Sequence, residues 1–72
     1  MEVSYTVIYE KGEANWSAYS PDVPGCIAAA ESLDELKKLF RESLELHLAG
    51  LREDGFPIPK PATVVGTESV IT

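Results

Sequence analysis

The sequence predicts an α+β fold: a three-stranded antiparallel meander, then one long helix and a C-terminal strand. Short segments of β-prone residues, separated by turns that contain glycine or proline, occupy the first 30 residues. Residues 32–54 then place apolar side chains at the helical period. At 72 residues the chain is predicted to form a single domain, residues 1–72, with a core of limited size.

The three strands are predicted at residues 3–10, 16–20 and 26–30. Alternation at period two puts one set of side chains of each strand on one face of the sheet. In the second strand, Trp16, Ala18 and Ser20 share a face, and Tyr19 lies on the other. The polar loop around Gly12 suits a hairpin. The alanines of the third strand indicate a place where another element packs closely.

The helix is predicted to begin after Ser32, which forms a capping box with Glu35. Gly55, followed by Pro57, is a typical helix end. Beyond it, prolines alternate with other residues over 57–61, which predicts a stiff extended segment that crosses back over the domain. Residues 63–67 and 69–72 are β-prone and predict either a fourth strand or a tail that pairs with another chain. One face of the helix carries Leu33, Leu36, Leu39, Phe40, Ser43, Leu44, His47, Gly50 and Leu51.

The net charge of −6 argues against binding to nucleic acid or to an anionic membrane, and it favours a basic partner. The net charge is −2 over the predicted helical region, residues 32–54, and −4 over the strands and loops. The sequence has no signal peptide and no membrane-spanning run, and its lone cysteine fits a cytoplasmic location. With neither a disulfide nor a zinc site to stabilise so small a core, we expect a homodimer or a higher homo-oligomer.

The sequence gives little support for a catalytic activity. His47 lies at the centre of the apolar helix face without a placed partner, so packing explains it better than catalysis. Cys26 would be a nucleophile only beside a base. A metal-dependent nuclease needs several converging acids, and only Glu10, Asp22 and Glu31 are candidates. Turn bonding explains Asp22 well. The sequence therefore predicts no enzyme, no cofactor and no metal site.

The segment 19–26, Tyr-Ser-Pro-Asp-Val-Pro-Gly-Cys, precedes the capped helix, and the helix ends in Gly55-Phe-Pro-Ile-Pro59. Over residues 4–61 this pattern resembles the HicB antitoxin family. The resemblance implies a β-β-β-α-β domain with a partial RNase H-like fold that lacks the catalytic acids. It also implies a partner, the small basic HicA toxin, which cleaves mRNA and whose active site the antitoxin covers. Family members commonly add a C-terminal DNA-binding segment. This sequence leaves no room for one before Thr72, so we expect no DNA-binding domain and no direct contact with nucleic acid.

The leading hypothesis is an antitoxin-type binding module that neutralises a HicA-like toxin. Its acidic strands and loops would steer a basic partner. One alternative is an orphan self-assembling domain with a structural or small-ligand role and no toxin. Another is a reduced RNase H-like nuclease, which the sparse acids disfavour. The residues predicted to contact the partner are Trp16, Tyr19, Pro21, Asp22 and Pro24.

Overall fold

The computed structural model describes residues 2–72. It contains three strands, β1 (Ile8–Lys11), β2 (Trp16–Tyr19) and β3 (Ile27–Ala30), followed by one helix, α1 (Leu33–Glu53). The strands form one antiparallel sheet in the order β1-β2-β3. The predicted α+β class and the predicted meander are therefore confirmed.

The two faces of the sheet differ in what covers them. On the inner face, which packs against α1, Ala18 is buried and Trp16, Ala28 and Ala30 are partly buried. On the outer face, Ser17, Tyr19, Ile27 and Ala29 are exposed. The predicted alternation of β2 is confirmed, and the small side chains of β3 lie where the helix packs, as the alanines indicated.

Strand β1 begins at Ile8, later than the predicted residue 3. Ile8 pairs with Tyr19, so the next positions toward the N-terminus would face Ser20 and Pro21. Pro21 has no backbone N–H and cannot continue the ladder. Instead, the Ser20 hydroxyl donates a hydrogen bond to the backbone oxygen of Thr6 at 2.7 Å. This bond holds the segment before β1 to the end of β2 where strand pairing stops.

Both ends of α1 are capped at the predicted residues. The Ser32 hydroxyl accepts a hydrogen bond from the backbone N–H of Glu35 at 3.2 Å. At the other end Gly55 has a φ of +76°, a conformation that side chains with a Cβ resist. The N–H groups of Gly55 and Phe56 donate to the carbonyls of Arg52 and Leu51, which is a Schellman motif. At 21 residues the helix is about 31 Å long and reaches across the sheet.

The core lies between α1 and the inner face of the sheet. Its fully buried members come from β2, from the turn that follows it and from the helix; they are Ala18, Val23, Cys26, Leu36 and Phe40. Leu44 and Leu48 extend this contact along the helix. The sequence placed Leu44 on the apolar face but did not place Leu48 there. No helix of the described chain is both long and apolar enough to cross a membrane.

The structure of residues 54–72, which follow α1, differs from the sequence prediction. The described residues after α1 contain no strand, so the predicted fourth strand does not form within the single chain. Pro57, Pro59 and Pro61 remove three donors from the segment that returns along the sheet. Side chains tie it down instead: the Tyr5 hydroxyl donates to the carbonyl of Pro59 at 2.6 Å. The partial RNase H-like description, which needs that strand, stays a prediction.

We predict that Leu36→Ala destabilises the fold far more than Leu39→Ala. Leu36 is 0% exposed, whereas Leu39 is 40% exposed on the same helix. Truncating a buried leucine costs about 2–5 kcal/mol, which is most of the stability of a small domain. Urea denaturation followed by circular dichroism measures both variants. The helix propensity change is identical in the two, so equal losses would contradict this account of the core.

Candidate functional site

Strand β2 places two of the five predicted partner residues on opposite faces of the sheet. Trp16 lies on the inner face, where its partly buried ring packs against the core. The ammonium of Lys11 lies 5.9 Å from the centroid of that ring, a cation–π distance. Tyr19 lies on the outer face and is 41% exposed. Because the two rings are separated by the sheet, they do not form one contact surface.

The turn between β2 and β3 is held from within by Val23, whose side chain is buried in the core. The backbone N–H of Val23 donates to the carbonyl of Ser20 at 3.2 Å, and that of Cys26 donates to the carbonyl of Val23 at 3.3 Å. Between them Gly25 adopts a φ of +87°, which favours glycine. This bonding leaves Pro21 and Pro24 exposed on the outside of the turn. The prolines therefore present a fixed shape to solvent.

Asp22 binds the chain's own C-terminal segment. One carboxylate oxygen accepts hydrogen bonds from the backbone N–H groups of Ala62 and Thr63, both at 3.0 Å. The other oxygen accepts from the Thr63 hydroxyl at 2.9 Å. The backbone N–H of Thr63, followed by that of Ala62, lowers the pKa of Asp22 below its ordinary value of 3.8. Both carboxylate oxygens are thus engaged within the chain, and Asp22 acts as a tie.

The other reactive side chains are placed for packing. Cys26 is buried, and burial raises the pKa of its thiol, which disfavours the reactive thiolate. His47 is half-buried and lies beside the turn, with its Cε1 atom 3.8 Å from where a Cβ on Gly25 would lie. Within residues 2–72, no three histidine, cysteine or acidic side chains are grouped to hold a metal ion.

The outer face of the sheet carries an apolar row that the sequence analysis did not single out. The register brings Ile8, Tyr19 and Ile27 side by side across the three strands. Ile27 is 75% exposed. Between β2 and β3 the row borders a shallow groove of about 400 Å³ that Ser17 and Ala29 also line. Period-two alternation marks these residues as outward-facing, but only strand register shows that they align.

The fold and this site define a small α+β domain that packs one sheet face on a helix and leaves the other face uncovered. Residues 5–69 match the model of the HicB-like antitoxins of bacterial toxin–antitoxin systems, and the chain belongs to that family. The family resemblance read from the turn and the helix end is confirmed.

Two relatives and one solved structure are similar to this chain. A 14.9 kDa protein of the rep-hol intergenic region of Haemophilus phage HP1 is 34% identical over 56 residues, covering 78% of this chain and 42% of the relative. A UPF0150 protein of Archaeoglobus fulgidus is 36% identical over 47 residues, covering 64% of this chain and 68% of the relative. A chain of the HicA3 and HicB3 toxin–antitoxin complex superposes with a TM-score of 0.71 at 28% identity. That match covers 83% of this chain and 70% of the other. The chain spans less than half the length of the phage relative.

We predict that Asp22→Asn removes a pH-dependent part of the stability. A carboxyl group whose pKa is lowered by folding stabilises the native state above its unfolded pKa, and this contribution is lost as the pH falls through the lower folded value. The native protein should therefore lose stability as the pH falls below about 4, and the variant should lose less over that range. Urea midpoints measured across this range test the prediction.

Glu42→Gln is the matched control for this experiment, since Glu42 is an exposed carboxylate on α1 with no hydrogen bond or ion pair among those of the described residues. Its pH profile should follow that of the native protein. An Asp22→Asn profile that coincides with the control would show that the tie contributes nothing to stability.

Proposed function

We propose that this antitoxin-family domain neutralises a small basic HicA-type mRNA-cleaving toxin by binding over the toxin's active site. The observation that carries the proposal is the superposition on a chain of the HicA3 and HicB3 complex, which covers 83% of this chain. Membership of the HicB-like antitoxin family supports the same role. In this role the domain acts by binding, and the protein it binds carries out the chemistry.

The charge of the chain supports a basic partner. The net charge is −6, and eleven of the twelve carboxylate side chains belong to exposed residues, Asp22 being the exception. Such a surface repels RNA and attracts a protein that itself binds RNA. Electrostatic attraction of this kind raises the association rate most strongly at low salt. The complex should therefore form faster as the ionic strength falls.

We place the toxin contact on the outer sheet face and the exposed side of the turn. Tyr19 supplies an exposed aromatic ring, the type of side chain that is enriched in interface centres. Ile27 lies beside it across the strand pair, and Pro21 and Pro24 continue the surface at the end of the sheet. Of the predicted contacts, Trp16 and Asp22 are engaged within the chain, so this proposal rests on Tyr19 and the prolines.

Self-association and a cytoplasmic location both stay predictions beside this role. Neither is required for toxin binding, because one uncovered sheet face on one chain is enough to contact a partner. The orphan interpretation, in which the chain self-assembles without a toxin, becomes the better one if no toxin binds.

We predict that the chain co-purifies with a small basic HicA-type toxin and that co-expression restores growth arrested by that toxin. Tyr19→Ala should weaken binding by about fivefold or more, because truncating an aromatic anchor at an interface centre costs over ~1 kcal/mol. Titration calorimetry at low salt measures the affinity.

Leu46→Ala is the matched control for the calorimetry, since Leu46 is an exposed side chain on the helix, away from the sheet face. It should bind as the native chain does. Absence of binding with both proteins folded would overturn the proposed function. Equal affinities of the two variants would overturn the proposed docking face alone.

A further inference from the structure

The chain exposes more surface than a compact protein of its mass. It exposes 5919 Å² at 7.8 kDa, whereas a compact monomer of that mass exposes about 4,400 Å². Its radius of gyration is 14.1 Å, against about 11 Å for a compact domain of this length. The excess of about 1,500 Å² is larger than the roughly 800 Å² that each partner buries in a stable interface.

Residues 64–72 are exposed along their whole length. Four of the nine side chains of this segment are apolar: Val64, Val65, Val70 and Ile71. The segment is rich in β-branched residues, contains no proline and carries one charge, that of Glu68. It therefore has the composition of a strand, yet it has no strand partner in the described chain.

The sheet offers a matching free edge at β3. The strand order leaves the outer edges of β1 and β3 unpaired within residues 2–72. Exposed edges are normally protected by charges, prolines or bulges. β1 carries Glu10 and Lys11, but Ile27–Ala30 carries neither a charge nor a proline. The edge of β3 is therefore the one that a further strand can extend.

We propose that residues 64–72 add as a strand to the free edge of β3 of a second copy, so that two chains exchange their C-terminal segments in a two-fold dimer. Each chain carries both the free β3 edge and the segment that would extend it. One symmetric exchange therefore pairs both edges with both segments. Both halves are poor in charge, and chains of net charge −6 repel one another least there. The proposal goes beyond the antitoxin function and does not depend on it.

The path of the segment favours a second copy over the chain's own β3. Besides the tie from Asp22, the Thr6 hydroxyl donates to the backbone oxygen of Thr63 at 3.4 Å. Thr6 precedes β1, at the opposite edge of the sheet from β3. The exposed segment therefore starts on the far side of its own sheet from the edge it would extend. A strand on the β3 edge also leaves the outer face free for a toxin.

Light scattering and hydrogen exchange of the chain alone test the proposal. We expect a dimer at micromolar concentration, with slowed amide exchange in both β3 and residues 64–72. Val70→Lys should raise the dimer dissociation constant by about tenfold or more, because a lysine within an edge strand opposes its pairing with another chain. The matched control is Leu46→Lys, since Leu46 is 76% exposed and Val70 is 78% exposed. Both variants change the charge equally, and the control should remain dimeric.

Two results would overturn the exchange. One is a monomeric native chain at micromolar concentration; if residues 64–72 are protected in that monomer, the segment docks on its own chain. The other is a dimer whose residues 64–72 exchange their amide hydrogens freely, which would place the interface elsewhere. A dimer that fails to bind a toxin overturns only the proposed function. A monomer that binds one overturns only the exchange.

Discussion

The packing of one helix on one face of a three-stranded sheet is the constraint on which the other features depend. Leu36 and Phe40 are buried against Ala18 and the turn that follows β2, and this contact forms the core. A single helix covers only one side of a sheet, so the opposite face meets solvent or another molecule. The uncovered row of Tyr19 and Ile27 follows from that arrangement, whereas the free edge of β3 follows from the strand order β1-β2-β3.

The turn after β2 joins three parts of the molecule that would otherwise be loosely connected. Val23 extends into the core, the Ser20 hydroxyl binds the backbone of the segment before β1, and Asp22 holds residues 62 and 63. In so small a domain, these contacts replace the additional secondary structure that larger proteins use to order their ends. The buried side of the turn fixes its shape, and the exposed prolines Pro21 and Pro24 form the part that we propose contacts a partner.

The two proposed partners would use different parts of the sheet. A toxin on the outer face would contact side chains, whereas a strand from a second copy would bond to the backbone at the edge of β3. The distribution of charged residues matches this division of the sheet. Acidic residues cover much of the surface and favour a basic protein, while β3 is uncharged and residues 64–72 carry a single charge. In these two proposals, electrostatic recognition of the toxin and strand pairing with a second copy involve different parts of the chain.

The sequence by itself determined the class of fold, the alternation of β2, both helix caps and the family. These depend on local chemistry: residue period, the side chain of Ser32, and Gly55 at a positive φ. The tertiary structure decided the rest. It separated Trp16 from Tyr19 as contact residues and left the C-terminal segment unpaired. It also revealed that Asp22 ties down residues 62 and 63, because the hydrogen-bond donors come from 40 residues further along the chain. Contacts between residues so far apart in sequence leave no periodic pattern that a sequence analysis can read.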